Sequence, residues 1–134
     1  NRVKLQKATQ YGLYAVLELA RDPSCQLSAI DIADKYGISS NHLAKVLRDL
    51  GRSGLVDSVR GAGGGYRFAS NAKRVTLMDV INIFEDLGGE ASGASEAGDD
   101  TDIGRALYKV CNEIDEITQA TFGSITLGTL LKIM

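Results

Sequence analysis

Arg60 stands directly before a stretch in which four of the five residues 61–65 are glycine, and Tyr66 and Arg67 follow at once. A cation beside backbone without Cβ atoms suits contact with a crowded anionic surface. Glycine can take positive φ and lets the chain approach a phosphate or a groove floor closely, which singles out Gly61, Gly64 and Gly65. A guanidinium at such a tip, as at Arg60, can enter a narrow minor groove. Upstream, Ser39, Ser40, Asn41 and His42 open a segment that continues through Lys45, Arg48 and Arg52. The first four sit where a recognition helix reaches base edges. Asn41 can pair with adenine and Lys45 with guanine or phosphate, whereas Arg48 and Arg52, further along, are placed for phosphate. Any one of these polar residues alone reads as a solvated helix face. Together with an arginine-tipped glycine turn they point to double-stranded DNA.

Other chemistries fit less well. A phosphate-cradling loop runs from glycines into a helix and closes with Lys-Ser or Lys-Thr, but here Tyr66, Arg67 and Phe68 continue as a strand. His42 is the sole histidine, and no Ser, Cys or carboxylate has a visible base partner, so no enzyme is expected. Cys25 and Cys111 form no CxxC pair, which excludes a zinc ribbon. They are expected to be ordinary buried or half-buried thiols, with no metal site and no disulfide.

The elements that must position these groups follow from periodicity. From Thr9 to Ala20, Leu13, Val16, Leu17 and Ala20 recur at helical spacing until Arg21, Asp22 and Pro23 end the run. Ser28 is an N-cap for a second helix through Ile30, Ile32, Ala33 and Tyr36, with Asp31 positioned to complete a capping box and Gly37 as the stop. The third helix starts around Ile38–Ser40. Its Leu43, Val46, Leu47 and Leu50 form one apolar stripe, with Asn41, Lys45, Arg48 and Arg52 opposite. Leu55–Arg60 and Tyr66–Ala69 are the two strands of a hairpin, under which Tyr66 is expected to pack. Thr76 opens a fourth helix. Residues 88–98 are nine-elevenths Gly, Ala or Ser, the composition of a flexible loop. Ile103, Leu107, Val110, Ile114, Ile117 and Thr121 then alternate by four and three, a heptad-like stripe whose economical partner is the same helix of a second subunit. Thr126–Met134 reads as a short last helix near that seam. The predicted fold is mainly α with a small two-stranded wing: a winged helix-turn-helix over residues 1–87, a loop over 88–102, and dimerisation and terminal helices over 103–134.

Charge agrees with this division. The formal net charge of −2 conceals 12 Lys/Arg against six Asp/Glu in residues 1–75 and three against 11 in residues 76–134. A basic part facing phosphate and an acidic remainder facing away would steer the molecule to DNA. No signal peptide, lipidation motif or long apolar run is visible, so a cytoplasmic protein without membrane association is expected.

The residues also carry a resemblance to a known family. Ala8–Ala20 (ATQYGLYAVLELA), Ile32–Ser39 (IADKYGIS), Leu43–Leu47 (LAKVL) and above all Gly54–Tyr66 (GLVDSVRGAGGGY) resemble the Rrf2 family of bacterial transcription regulators, with weaker support from Thr76–Val80 and Ile125–Leu130. The resemblance implies a homodimeric DNA-binding regulator, usually a repressor, on a palindromic promoter site. Residues Ser39 to Lys45 would lie in the major groove and the Arg60–Gly61 tip in or near the minor groove. Many such regulators hold an iron–sulfur cluster through three cysteines before the dimerisation helix. Residues 89–102 contain none, and Gly, Ala and Ser cannot ligate cluster iron. The chain as written is expected to carry no cofactor. It is either a clusterless member answering to a small molecule, a protein partner or another redox signal, or a cysteine-replaced form of an iron–sulfur sensor. Action mainly through a protein partner is a further alternative.

Overall fold

The computed structural model describes residues 4–87 and 96–134. The helices are α1 (Lys7–Ala20), α2 (Ala29–Tyr36), α3 (Ser40–Arg52), α4 (Leu77–Phe84), α5 (Asp102–Gly123) and α6 (Leu127–Lys132), with strands β1 (Val56–Val59) and β2 (Gly65–Phe68) between α3 and α4. The architecture is the expected one: mostly helical, with a two-stranded antiparallel wing. Most of the flexible-loop expectation falls on residues 88–95, outside the described residues.

Local chemistry starts and stops these helices. Ser28 and Asp31 form a reciprocal capping box on α2, and Thr76 and Asp79 form another on α4. Gly37, at φ 66°, ends α2 in the left-handed conformation, which costs glycine nothing. Ser39 caps α3 by accepting from the His42 amide. At α1 the neighbouring Gln6 supplies no side-chain cap. The carboxylate of Glu85, just past α4, does so instead, accepting from the Gln6 amide at 2.9 Å and the Thr9 hydroxyl at 2.5 Å. Sequence reading had no means of finding a cap 79 residues away.

The core lies where α1, α3 and α4 meet. Leu43, Val46, Leu47 and Leu50 are all buried, as their stripe predicts. The buried face of α1 is broader than expected and rotated. Ala15 and Leu19 belong to it with Val16 and Ala20, while Leu13 and Leu17 are only half-buried. Gly12 lets α4 close in, because a Cβ there would overlap the Phe84 ring. The last helix is rooted in the amino-terminal unit. Leu127 is fully buried in the winged-helix core. The Leu77 amide donates to Ile125 O and the Leu127 amide to Val75 O, both at 2.8 Å, and the Gly128 amide donates to Ala72 O at 2.7 Å. This short antiparallel bridge roots the carboxy-terminal end of α5 in the amino-terminal unit. No residue of the 22 in α5 is fully buried; near its carboxy-terminal end Phe122 packs half-buried against the core.

Candidate nucleic-acid interface

With four leucine and valine side chains sunk in the core, α3 presents its polar side outward. Ser39, Ser40, Asn41, Lys45, Arg48 and Arg52 are exposed. Lys45 and Arg48 form no ion pair among the described residues, while Arg52 lies 3.5 Å from Asp49 with its side chain 77% exposed, a surface contact of little energetic weight. His42 differs from its neighbours. It is half-buried, and its ring meets Tyr11 of α1 edge-on at 4.9 Å between centroids. Sequence spacing grouped it with the freely projecting residues because the position of α1 was not legible there.

A polar cluster locks α1 to α2. The Glu18 carboxylate, 9% exposed, accepts from Lys35 Nζ at 2.7 Å and the Tyr36 hydroxyl at 2.6 Å, and Tyr36 stacks on Tyr14 at 4.7 Å. Burial alone would raise the Glu18 carboxyl. The hydrogen bonds from Lys35 and Tyr36, with the charges of Arg21 and Lys35, outweigh it and hold the carboxyl below its ordinary value. Burial first, and then the bond to Glu18, pushes the Tyr36 phenol up to about 12. None of this cluster was picked out from the sequence, where Glu18 reads as one more acidic residue on a helix.

The wing pairs Val56 with Phe68, Asp57 with Arg67, Ser58 with Tyr66 and Val59 with Gly65. Arg60 and Gly61 at its tip are exposed. The glycines divide by role, and not as expected. Positive φ occurs at Gly61 and Gly63, at 104° and 74°, so Gly63, which spacing did not single out, is one of the two that need the freedom. Gly64 and Gly65 are required by crowding. A Cβ at Gly64 would press on the carbonyls of Val59 and Gly61, and one at Gly65 on the backbone of Leu27. Tyr66 packs against the core, as expected of a residue beneath the wing. It also joins Arg48, Gly51 and Arg52 of α3 and Val56, Asp57 and Ser58 of β1 in lining one open groove. The basic side of α3 and the wing therefore border a common surface.

The residues expected at a dimer seam lie apart from this surface. Ile103, Leu107, Val110, Ile114 and Ile117 are 54–71% exposed. Cys25 and Cys111 are also exposed, which corrects the expectation of buried or half-buried thiols: Cys25 lies on a surface turn, and Cys111 on a helix with no fully buried residue. Among the described residues no helix is long and apolar enough to cross a membrane.

The sequence from residue 5 to 133 matches the profile of Rrf2, described as an iron-dependent transcriptional regulator. The chain belongs to the Rrf2 family. Its relatives include BadM of Rhodopseudomonas palustris, an HTH-type transcriptional regulator by name, 58% identical over 132 residues that cover 98% of this chain and 83% of BadM. Among solved Rrf2-like structures, CymR, the global cysteine regulator of B. subtilis, superposes with a TM-score of 0.81 at 27% identity over 99% of both chains. IscR of T. potens superposes at 0.75, also at 27% identity, over 97% of this chain and 87% of its own. This Rrf2 chain is thus a DNA-binding transcriptional regulator with a winged-helix fold. The whole sequence offers two cysteines and one histidine, none of them between residues 88 and 102. Among the described residues no three His, Cys, Asp or Glu side chains gather to hold a metal ion.

Proposed function

We propose that the chain is a cytoplasmic homodimer that represses transcription by occupying a palindromic promoter site, without enzymatic activity and without an iron–sulfur cluster. The observation that carries this reading is the groove shared by α3 and the wing. It lets one rigid unit set Ser39, Ser40, Asn41, His42 and Lys45 against major-groove base edges while Arg60 and Gly61 reach the adjacent minor groove, with Arg48 and Arg52 on phosphate between them. Promoter DNA occupied in both grooves is closed to polymerase.

The homodimer is supported by α5. Its exposed stripe runs from Ile103 to Ile117, and its amino-terminal half carries Arg105 and Lys109 after the first-turn Asp102, while its carboxy-terminal half carries Glu113, Asp115 and Glu116 and no cation. A two-fold, antiparallel pairing covers the stripe and sets each basic half beside the partner's acidic half. Such a dimer presents two copies of α3 to successive major grooves, about 34 Å apart. Selection of bound duplexes from a random pool, followed by sequencing, tests the proposal. An inverted repeat with half-sites one helical turn apart, or a small multiple of it, is the expected motif. Enrichment of no motif at moderate salt, or of one without two-fold symmetry, would sink it.

A further inference from the structure

The wing consists of two strands of four residues, and an isolated hairpin of that size is marginal in water. Its support comes from the turn between α1 and α2. Leu27 and Tyr66 exchange both backbone hydrogen bonds, the Leu27 amide donating to Tyr66 O at 2.9 Å and the Tyr66 amide to Leu27 O at 2.8 Å. The turn thus forms a bridge to the free edge of β2, at the close approach that Gly65 permits. One residue earlier, Gln26 Nε2 donates to Gly63 O at 2.6 Å. Among the described residues, this is the one side-chain hydrogen bond that reaches the tip, residues 60–64, from outside the hairpin.

We propose that Gln26 is a positioning residue for DNA binding: its amide latches the wing tip at the angle from which Arg60 meets the duplex. The proposal rests on the reading of the wing as a DNA contact. The physical need for a latch is plain. Gly61 and Gly63 hold conformations that cost other residues energy, and the tip's one apolar side chain, the Ala62 methyl, is exposed and anchors nothing. Its glycine backbone is therefore free to sample many conformations unless something outside the hairpin holds it. A tip ordered before the encounter spares binding the entropy of ordering it afterwards. The bridge at Leu27 fixes the base of the hairpin, and the bond from Gln26 fixes its end.

The test uses the full chain and a fluorescein-labelled duplex selected by that chain from a random pool. Gln26→Met keeps the length of the side chain and removes its donor. Affinity is expected to fall about fivefold, the weight of one hydrogen bond, with the melting temperature unchanged and trypsin cutting the DNA-free chain after Arg60 faster than in the native protein. Arg60→Ala is expected to weaken binding further, and adding Gln26→Met to it should cost nothing more, because the latch then holds a tip with no cation. Native affinity or native cutting in Gln26→Met would overturn the proposal. So would losses that multiply in the double variant, which would make Gln26 an independent contact. If Arg60→Ala itself bound as tightly as the native chain, the wing reading would fall, and this role for Gln26 with it.

Discussion

The two amphipathic helices α3 and α5 carry similar patterns and meet opposite fates. The stripe of α3, Leu43, Val46, Leu47 and Leu50, is 0–2% exposed, whereas that of α5, from Ile103 to Ile117, is 54–71% exposed. Spacing of apolar residues shows that a face is to be covered, but not by what. For α3 the cover is α1, α2 and α4 of the same chain. For α5 the described residues supply none along the stripe, and its carboxy-terminal end is nonetheless anchored through Leu127. A helix held firmly with its apolar side outward presents an interface, and the basic-to-acidic gradient along it favours a second, inverted copy.

The difference can be broken by placing a charge on the outer stripe. In the proposed dimer Ile114→Asp would set a carboxylate from each subunit into an apolar seam and should raise the dissociation constant at least ~100-fold. Sedimentation would show a folded monomer, and tight binding to a palindromic duplex would be lost with it. A native chain that is already monomeric at micromolar concentration would refute the interpretation of α5. Truncating a leucine on each stripe sharpens the contrast. Leu50→Ala should cost about 3 kcal/mol of stability at any protein concentration, since it opens a cavity in a closed core. Leu107→Ala should instead lower the melting temperature in a concentration-dependent way, because in the proposed dimer its cover is another molecule. Identical concentration dependence for the two variants would erase the distinction.

The Glu18 cluster gives a smaller effect with a definite sign. Its carboxyl is held below the ordinary value of 4.5 in the folded chain, so its contribution is complete above that value and is lost as pH falls through the lowered one. Tyr36 is raised from 10.0 to about 12. Its contribution is present below pH 10 and is lost as pH rises towards 12. Urea titrations of native and Glu18→Gln chains should differ by about 1–2 kcal/mol near pH 7 and converge in acid. A constant difference down to pH 2 would show that the ion pair is not its source. On the DNA surface, Arg60→Ala should lower the slope of log affinity against log salt by about one. Asn41→Ala should leave that slope unchanged and relax base choice at one position.

Much of the fold was legible because its signals are local. Ser28 with Asp31 and Thr76 with Asp79 are capping boxes within four residues, Gly37 is a stop, and the leucines of α3 repeat at helical period. The wing was legible from its glycines, although which of them needed positive φ was not, since Gly64 and Gly65 answer to the carbonyls of Val59, Gly61 and Leu27. The surface of α3 was legible as a face. The restraint of His42 by Tyr11, the capping of α1 by Glu85 and the latching of Gly63 by Gln26 were not.

The sequence by itself determined how α2 is capped and stopped, which faces of α3 and α5 are apolar, that the amino-terminal part is basic, and that no cysteine ligands stand between residues 88 and 102. These follow from chemistry within a few residues, or from composition. Only the tertiary structure decided that α6 belongs to the winged-helix core, that α5 is left bare, and that the wing leans on the α1–α2 turn. The first and the last of these depend on groups between 37 and more than 50 residues apart meeting at hydrogen-bonding distance, and such meetings are set by the packing of the whole chain.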